Sequence, residues 1–260
     1  MTGIHTPVVD ALRAAGCVFA EEEAELLASA AADEAELAAL VARRVAGEPL
    51  EHVVGWAQFC GLRMAVGEGV FVPRRRTEFL VQEAAGLARP GAVVLDLCCG
   101  VGAIGAAVAA ELGGTVELHA ADIDPVAASY ARRNVAPVGG RVHEGDLYDA
   151  LPPSLRGRVD VLVVNAPYVP TDAIGLLPPE ARDHEPRTAL DGGPDGLDVQ
   201  RRVAEGAPAW LAPGGHLLIE TSARQSPSTA AALTAAGLSV RATSSEDLHA
   251  TVVIGRREVD

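Results

Sequence analysis

Lysine is absent from this 260-residue chain; all 21 basic residues are arginine. That excludes a Schiff-base lysine and a P-loop lysine. No apolar run approaches the ~18–20 residues of a membrane span. Met1 to Asp10 hold neither a basic stretch nor an apolar one, so no secretory leader is expected and a cytoplasmic protein is. The four cysteines, Cys17, Cys60, Cys98 and Cys99, form no CxxC pair and have no histidine at ligand spacing. They read as small buried side chains, with no metal site expected. Positive charge is scarce overall: 35 acidic residues leave a net charge of −14. Non-specific nucleic-acid binding runs on cationic patches, so direct nucleic-acid binding is not expected. The chain has no internal repeat and no low-complexity tract.

What is present divides into three parts. Residues 1–50 read as a small helical domain. Leu37, Leu40, Val41 and Val45 recur at helical spacing, Asp33 and Glu36 form a capping box, and Gly47 and Pro49 stop the helix. Residues 51–75 are short and β-like: Val53-Val54-Gly55-Trp56 and Gly61 to Val66 suggest a β-hairpin linker. From 76 to 260 a helix at 77–87 precedes seven strands alternating with helices. This predicts an α/β fold with a doubly wound, mostly parallel sheet, in which one of the last two strands is antiparallel.

Two motifs carry chemistry. Gly100, Gly102 and Gly105 form a G-x-G-x-x-G turn between a strand ending near Asp96 and a helix. Asp122, twenty residues past Gly102, ends the next strand and suits ribose hydroxyls. Asp124 could serve there or cap the following helix. Asp146 could accept from an adenine amino group or simply form a turn. Acids converging on one sheet edge favour adenosine and disfavour a phosphate-rich ligand. The second motif, Asn165-Ala166-Pro167-Tyr168, follows the buried-strand run Val159–Val164. An amide, an extended backbone carbonyl and an aromatic ring suit a planar –NH2 group. His143, His184 and His249 are isolated and read as structural.

Together these motifs resemble the class I S-adenosylmethionine-dependent methyltransferases, in the branch with an Asn/Asp-Pro-Pro-Tyr/Phe tetrad. Upstream, Arg44 to Leu50, Gly55 to Phe59 and Val70-Phe71-Val72-Pro73-Arg74 with Thr77-Glu78 are similar to the HemK/PrmC family. So is His184-Glu185-Pro186-Arg187-Thr188-Ala189-Leu190 with Gly192-Gly193 and Asp195-Gly196. The resemblance implies methyl transfer from S-adenosylmethionine to the GGQ glutamine of a peptide-chain release factor. It implies a seven-stranded class I sheet; a monomer is expected. Asp96, Gly100, Gly102, Asp122, Asp146 and Asn165 would hold the cofactor. Asn165, Ala166, Pro167 and Tyr168 would be the catalytic tetrad. Phe71, Arg74 and Tyr168 would shape the substrate slot, with Glu185 structural.

Ala166 stands where the family has proline, and Arg75-Arg76 follow Pro73-Arg74 where the family has a second proline. Neither change removes a functional group, since the Ala166 carbonyl remains and Pro167 keeps Ala166 extended. Three other readings compete: a nucleic-acid amino-methyltransferase, an NAD-dependent oxidoreductase that leaves the tetrad idle, and an adenosine-ligand binder without catalysis.

Overall fold

In the computed structural model, which describes residues 6–259, three helices open the chain. They are α1 (Thr6–Ala14), α2 (Ala20–Ala30) and α3 (Glu34–Val45). Asp33 caps α3 by accepting from the Glu36 N–H at 2.8 Å. The Glu36 carboxylate reaches past Asp33 to the Ala32 N–H at 2.6 Å, so the capping box closes one residue early. Val53-Val54, expected to be extended, instead belongs to a short helix, α4 (Leu50–Val54). Val53 there joins Leu12, Ala20, Ala24 and Leu27 in a separate small core. Burial against α1 and α2 outweighs the β preference of valine. Gly55, at φ 83°, ends the helix.

The hairpin is β1 (Trp56–Phe59) and β2 (Leu62–Ala65). Cys60 and Gly61 both have positive φ, as a two-residue turn of matching twist demands. Phe59, Met64, Val66, Val70 and Val72 all enter the main core. The hairpin is therefore built into the larger body rather than strung beside it.

The remaining helices are α5 (Glu78–Leu87), α6 (Ala103–Glu111), α7 (Pro125–Val135), α8 (Pro179–His184), α9 (Asp198–Trp210) and α10 (Ser226–Ala235). The strands are β3 (Val93–Leu97), β4 (Glu117–Asp122), β5 (Arg141–Glu144), β6 (Val159–Val164), β7 (Leu211–Thr221), β8 (Ser239–Ser245) and β9 (Ala250–Arg256). They form one sheet in the order β5-β4-β3-β6-β7-β9-β8, in which β9 runs antiparallel to both neighbours. Alternate residues bury opposite faces. Val94, Val161, Val163 and Leu218 pack with α5 and α6, while Leu95, Leu162, Leu217 and Ile219 pack with α9 and α10. The chain leaves β3 in one direction and returns at β6 in the other. This is a topological switch point, and the crevice outside its carboxyl ends is where such sheets bind ligands.

Asn134, on α7, ties the hairpin to that crevice. It accepts from the Ala65 N–H at 2.8 Å and donates to the carbonyls of Ala65 and Val101 at 3.0 and 2.8 Å. Replacing Asn134 with Ala leaves three backbone groups without partners. We expect a loss of about 1–3 kcal/mol in denaturant unfolding.

Asp96 lies wholly buried under α6, and its Oδ2 accepts from the Gly105 N–H at 2.8 Å. Burial pushes its carboxyl up to about 8. A raised folded value means that its stabilising contribution is complete below the unfolded value of 3.8 and is lost as pH rises through about 8. Asp96→Asn should therefore flatten the decline in stability across that window, read as midpoint denaturant concentration against pH.

Candidate active site

A cavity of about 1390 Å³ opens at the carboxyl ends of β3, β4, β6 and β7. That is larger than the ~300–1,000 Å³ of a small-ligand pocket and leaves room for two reactants side by side. One wall is the turn after β3. Cys98 and Gly100 both take left-handed backbone angles, at φ 57° and 54°. The Cys99 N–H donates to the Ala121 carbonyl at 3.0 Å, and the Gly100 N–H donates to Asp122 Oδ2 at 2.7 Å. A side chain at Gly100 would meet nothing within 4 Å, so its bare backbone faces open space.

Asp122 lines the cavity at the end of β4 and is partly exposed. Burial raises its carboxyl value, while the N–H groups of Asp124 and Gly100 act against that rise. Both oxygens already accept a backbone N–H, and a carboxylate keeps further lone pairs for two hydroxyls. Asp124 caps α7 through the N–H groups of Val126 and Ala127. Asp146 reaches the cavity, but its Oδ2 accepts from Arg202 at 2.8 Å and its backbone carbonyl closes a short turn.

Two expected cofactor contacts lie elsewhere. Asp96 is fully buried and sits beneath the glycine turn instead of lining the cavity. Gly102, at φ 76°, faces α7: a Cβ there would lie 3.0 Å from Val135 and 3.1 Å from Ala131. Its bareness serves helix packing, as does that of Gly105, where a Cβ would lie 2.9 Å from Leu118.

Across the cavity stands the tetrad. Asn165 follows β6 directly, and its Nδ2 donates to the Thr77 hydroxyl at 3.4 Å. That leaves Oδ1 to accept. The Ala166 side chain is buried, while its carbonyl accepts from no group among the described residues. The Tyr168 hydroxyl accepts from Arg76 Nη2 at 2.7 Å, and the Arg76 guanidinium lies 5.9 Å over the Tyr168 ring. Phe71 and Arg74 line the same cavity, with the Arg74 guanidinium 4.8 Å from the Phe71 ring centre. Arg74 Nη2 donates to Glu185 Oε1 at 2.5 Å, and the Val72 N–H donates to the same oxygen at 3.1 Å. Glu185 is thus the fixed point of the slot wall.

No site role for Arg76, Thr77 or Glu220 follows from the sequence motifs. Glu220, 2% exposed at the end of β7, accepts from Arg76 Nε at 3.4 Å. Burial raises its carboxyl value, and Thr77 and Arg76 oppose the rise. The sequence signal was a carboxylate in an apolar strand, Leu217-Leu218-Ile219-Glu220.

The family model for a methyltransferase small domain matches residues 68–175. The chain is 43% identical over 190 residues to the release factor glutamine methyltransferase of Geobacter sulfurreducens, covering 71% of this chain and 66% of that protein. It is 38% identical over 251 residues to the Mycolicibacterium smegmatis protein of the same name, covering 95% and 88%. A solved methyltransferase from Pyrococcus furiosus shares the fold at a TM-score of 0.58 and 18% identity, over 76% of this chain and 90% of that one. With identity near two residues in five sustained from the helical domain through the last strands, the chain belongs to the release factor glutamine methyltransferase family.

Proposed function

We propose that this chain transfers a methyl group from S-adenosylmethionine to the side-chain nitrogen (N5) of a glutamine, that of the GGQ loop of a peptide-chain release factor. The observation that carries the reading is the pair of acceptors, Asn165 Oδ1 and the Ala166 carbonyl, in the same cavity as Gly100 and Asp122. The donor set fits the cofactor. Asp122 offers carboxylate oxygens to ribose, and Arg202, the arginine beside this wall, is paired with Asp146 instead of being free for a pyrophosphate. S-adenosylmethionine supplies an electrophilic methyl on a sulfonium.

The protein's part is positioning and charge. An amide nitrogen is a poor nucleophile because its lone pair is delocalised. Asn165 Oδ1 and the Ala166 carbonyl accept its two hydrogens, which turns the nitrogen toward the methyl. Both bonds strengthen as the nitrogen becomes positive, so they favour the transition state over the ground state. Tyr168 packs against the amide plane, while Arg76 fixes its hydroxyl end. Phe71 and Arg74 form the opposite side of the slot.

A protein substrate fits better than a nucleic acid. Arg74, Arg76 and Arg187, which line the cavity, are paired with Glu185, Glu220 and Asp191 and so are not free for phosphate. Among the described residues no helix is long and apolar enough to cross a membrane. We place the reaction in the cytoplasm, on a soluble release factor, with the chain acting as a monomer.

The deciding experiment supplies labelled S-adenosylmethionine with release factor and with its GGQ-to-GGA variant. Label should appear on the first protein alone; equal labelling of both excludes the glutamine assignment. Asn165→Ala should lower turnover by about 10²-fold or more, the scale of one lost transition-state hydrogen bond. Its affinity for S-adenosylhomocysteine, measured by calorimetry, should stay close to that of the parent. Near-normal turnover in that variant removes Asn165 from its role.

A further inference from the structure

Glu220 follows Ile219, which pairs with Val164 in the parallel β6–β7 ladder. Continuing that register by one residue sets Glu220 level with Asn165, with both side chains on the α5 side of the sheet. Thr77, at the start of α5, stands between them and is 2% exposed. It accepts from Asn165 Nδ2, and its hydroxyl sits against the Glu220 carboxylate, where it favours the charged form. The second carboxylate oxygen, Oε2, is buried with no partner among the described residues.

This arrangement has a direction. A carboxylate can only accept, whereas a hydroxyl has one proton to give and lone pairs to accept with. A Thr77 proton turned toward the charged Glu220 leaves only the hydroxyl's lone pairs for Asn165, whose Nδ2 donates to it at 3.4 Å. The Asn165 amide then shows its oxygen to the cavity. An amide at position 220 would lack this compulsion: Thr77 could turn and donate to Asn165 Oδ1. The rotated side chain would present an –NH2 to a substrate that itself offers only hydrogens.

We propose that Glu220 is a positioning residue which, acting through Thr77, fixes the Asn165 amide with its acceptor toward the substrate. The inference rests on the reading of Asn165 as acceptor for the substrate –NH2. Arg76 extends the same control to the ring beyond, since it donates both to Glu220 and to the Tyr168 hydroxyl.

The test compares E220Q, T77V, T77S and the E220Q/T77V double variant in methyl transfer to release factor. Thermal unfolding and calorimetry with S-adenosylhomocysteine run alongside. E220Q and T77V should each lose roughly 10-fold to 10²-fold in kcat, with KM and cofactor affinity changed by less than about threefold. T77S, which keeps the hydroxyl, should remain close to the parent. The double variant should be no worse than the poorer single one, because the two residues act as one unit. A kcat for E220Q within about threefold of the parent overturns the inference, as do losses that multiply in the double variant. If E220Q fails to fold, T77V and T77S decide, and equal loss in both overturns it. A parent chain that binds cofactor yet labels no release factor overturns the proposed function, and this inference with it.

Discussion

The pairing of β3 with β6 governs the rest of the molecule. Four parallel partners, Val94 with Val161 through Leu97 with Val164, set these strands side by side although more than sixty residues separate them. That register brings the turn at Cys98–Gly100 level with Asn165. The glycine turn with Asp122 and the segment Asn165–Tyr168 thus face each other across one crevice. A slip by one residue would exchange the two faces of β6 and send Asn165 toward α9, away from Thr77. The apolar runs Val93–Leu97 and Val159–Val164 hold the register, since both are buried from the α5–α6 side and the α9–α10 side.

Around this pairing the chain spends carboxylates in unusual places. Asp96, Glu185 and Glu220 are buried, and each leaves one oxygen without a partner among the described residues. Each also fixes backbone or a functional side chain. Asp96 holds the N–H of Gly105, Glu185 holds Val72 and Arg74, and Glu220 holds Arg76. Keeping a carboxylate out of water is costly, so these sites are over-determined by their surroundings. The helical domain is tied in the same way. Arg44, itself buried, joins Glu23 of α2 to Glu180 of α8, next to the slot. The Arg44–Glu180 pair joins the helical domain to the segment just before Glu185.

Much of this was legible in sequence because it depends on local rules. Helix caps, the strand–turn–helix at Gly100 and the placement of Asp122 and Asn165 at strand ends all follow from short-range pattern. Val53 misled because its partners, Leu12 and Leu27, lie in helices well upstream. Gly102 and Asp96 obey the same strand–turn–helix pattern, but in the fold the glycine admits a helix and the acid holds the turn. Thr77 stands in the sequence only as part of a family motif, and Glu220 has no motif at all. Their meeting depends on where α5 crosses the sheet, and no spacing in the sequence encodes that.

The tetrad's departure from proline becomes intelligible from the loop beneath it. Val169 exchanges backbone hydrogen bonds with Leu190 and Gly192, and Gln225 Nε2 donates to the Tyr168 carbonyl at 2.9 Å. Gly192 and Gly196 press close: a Cβ at either would lie 2.6 Å from the Pro167 carbonyl or 2.3 Å from that of Tyr168. The tetrad is thus clamped from outside its own sequence, and Ala166 is buried in the core cluster that holds Leu97 and Val164. A proline at 166 would restrict φ in the unfolded chain as well as the folded one, an effect of order 1 kcal/mol or less. What it would add in the folded state, an extended backbone, the following proline already favours. Ala166 therefore alters the stability of this segment more than its shape.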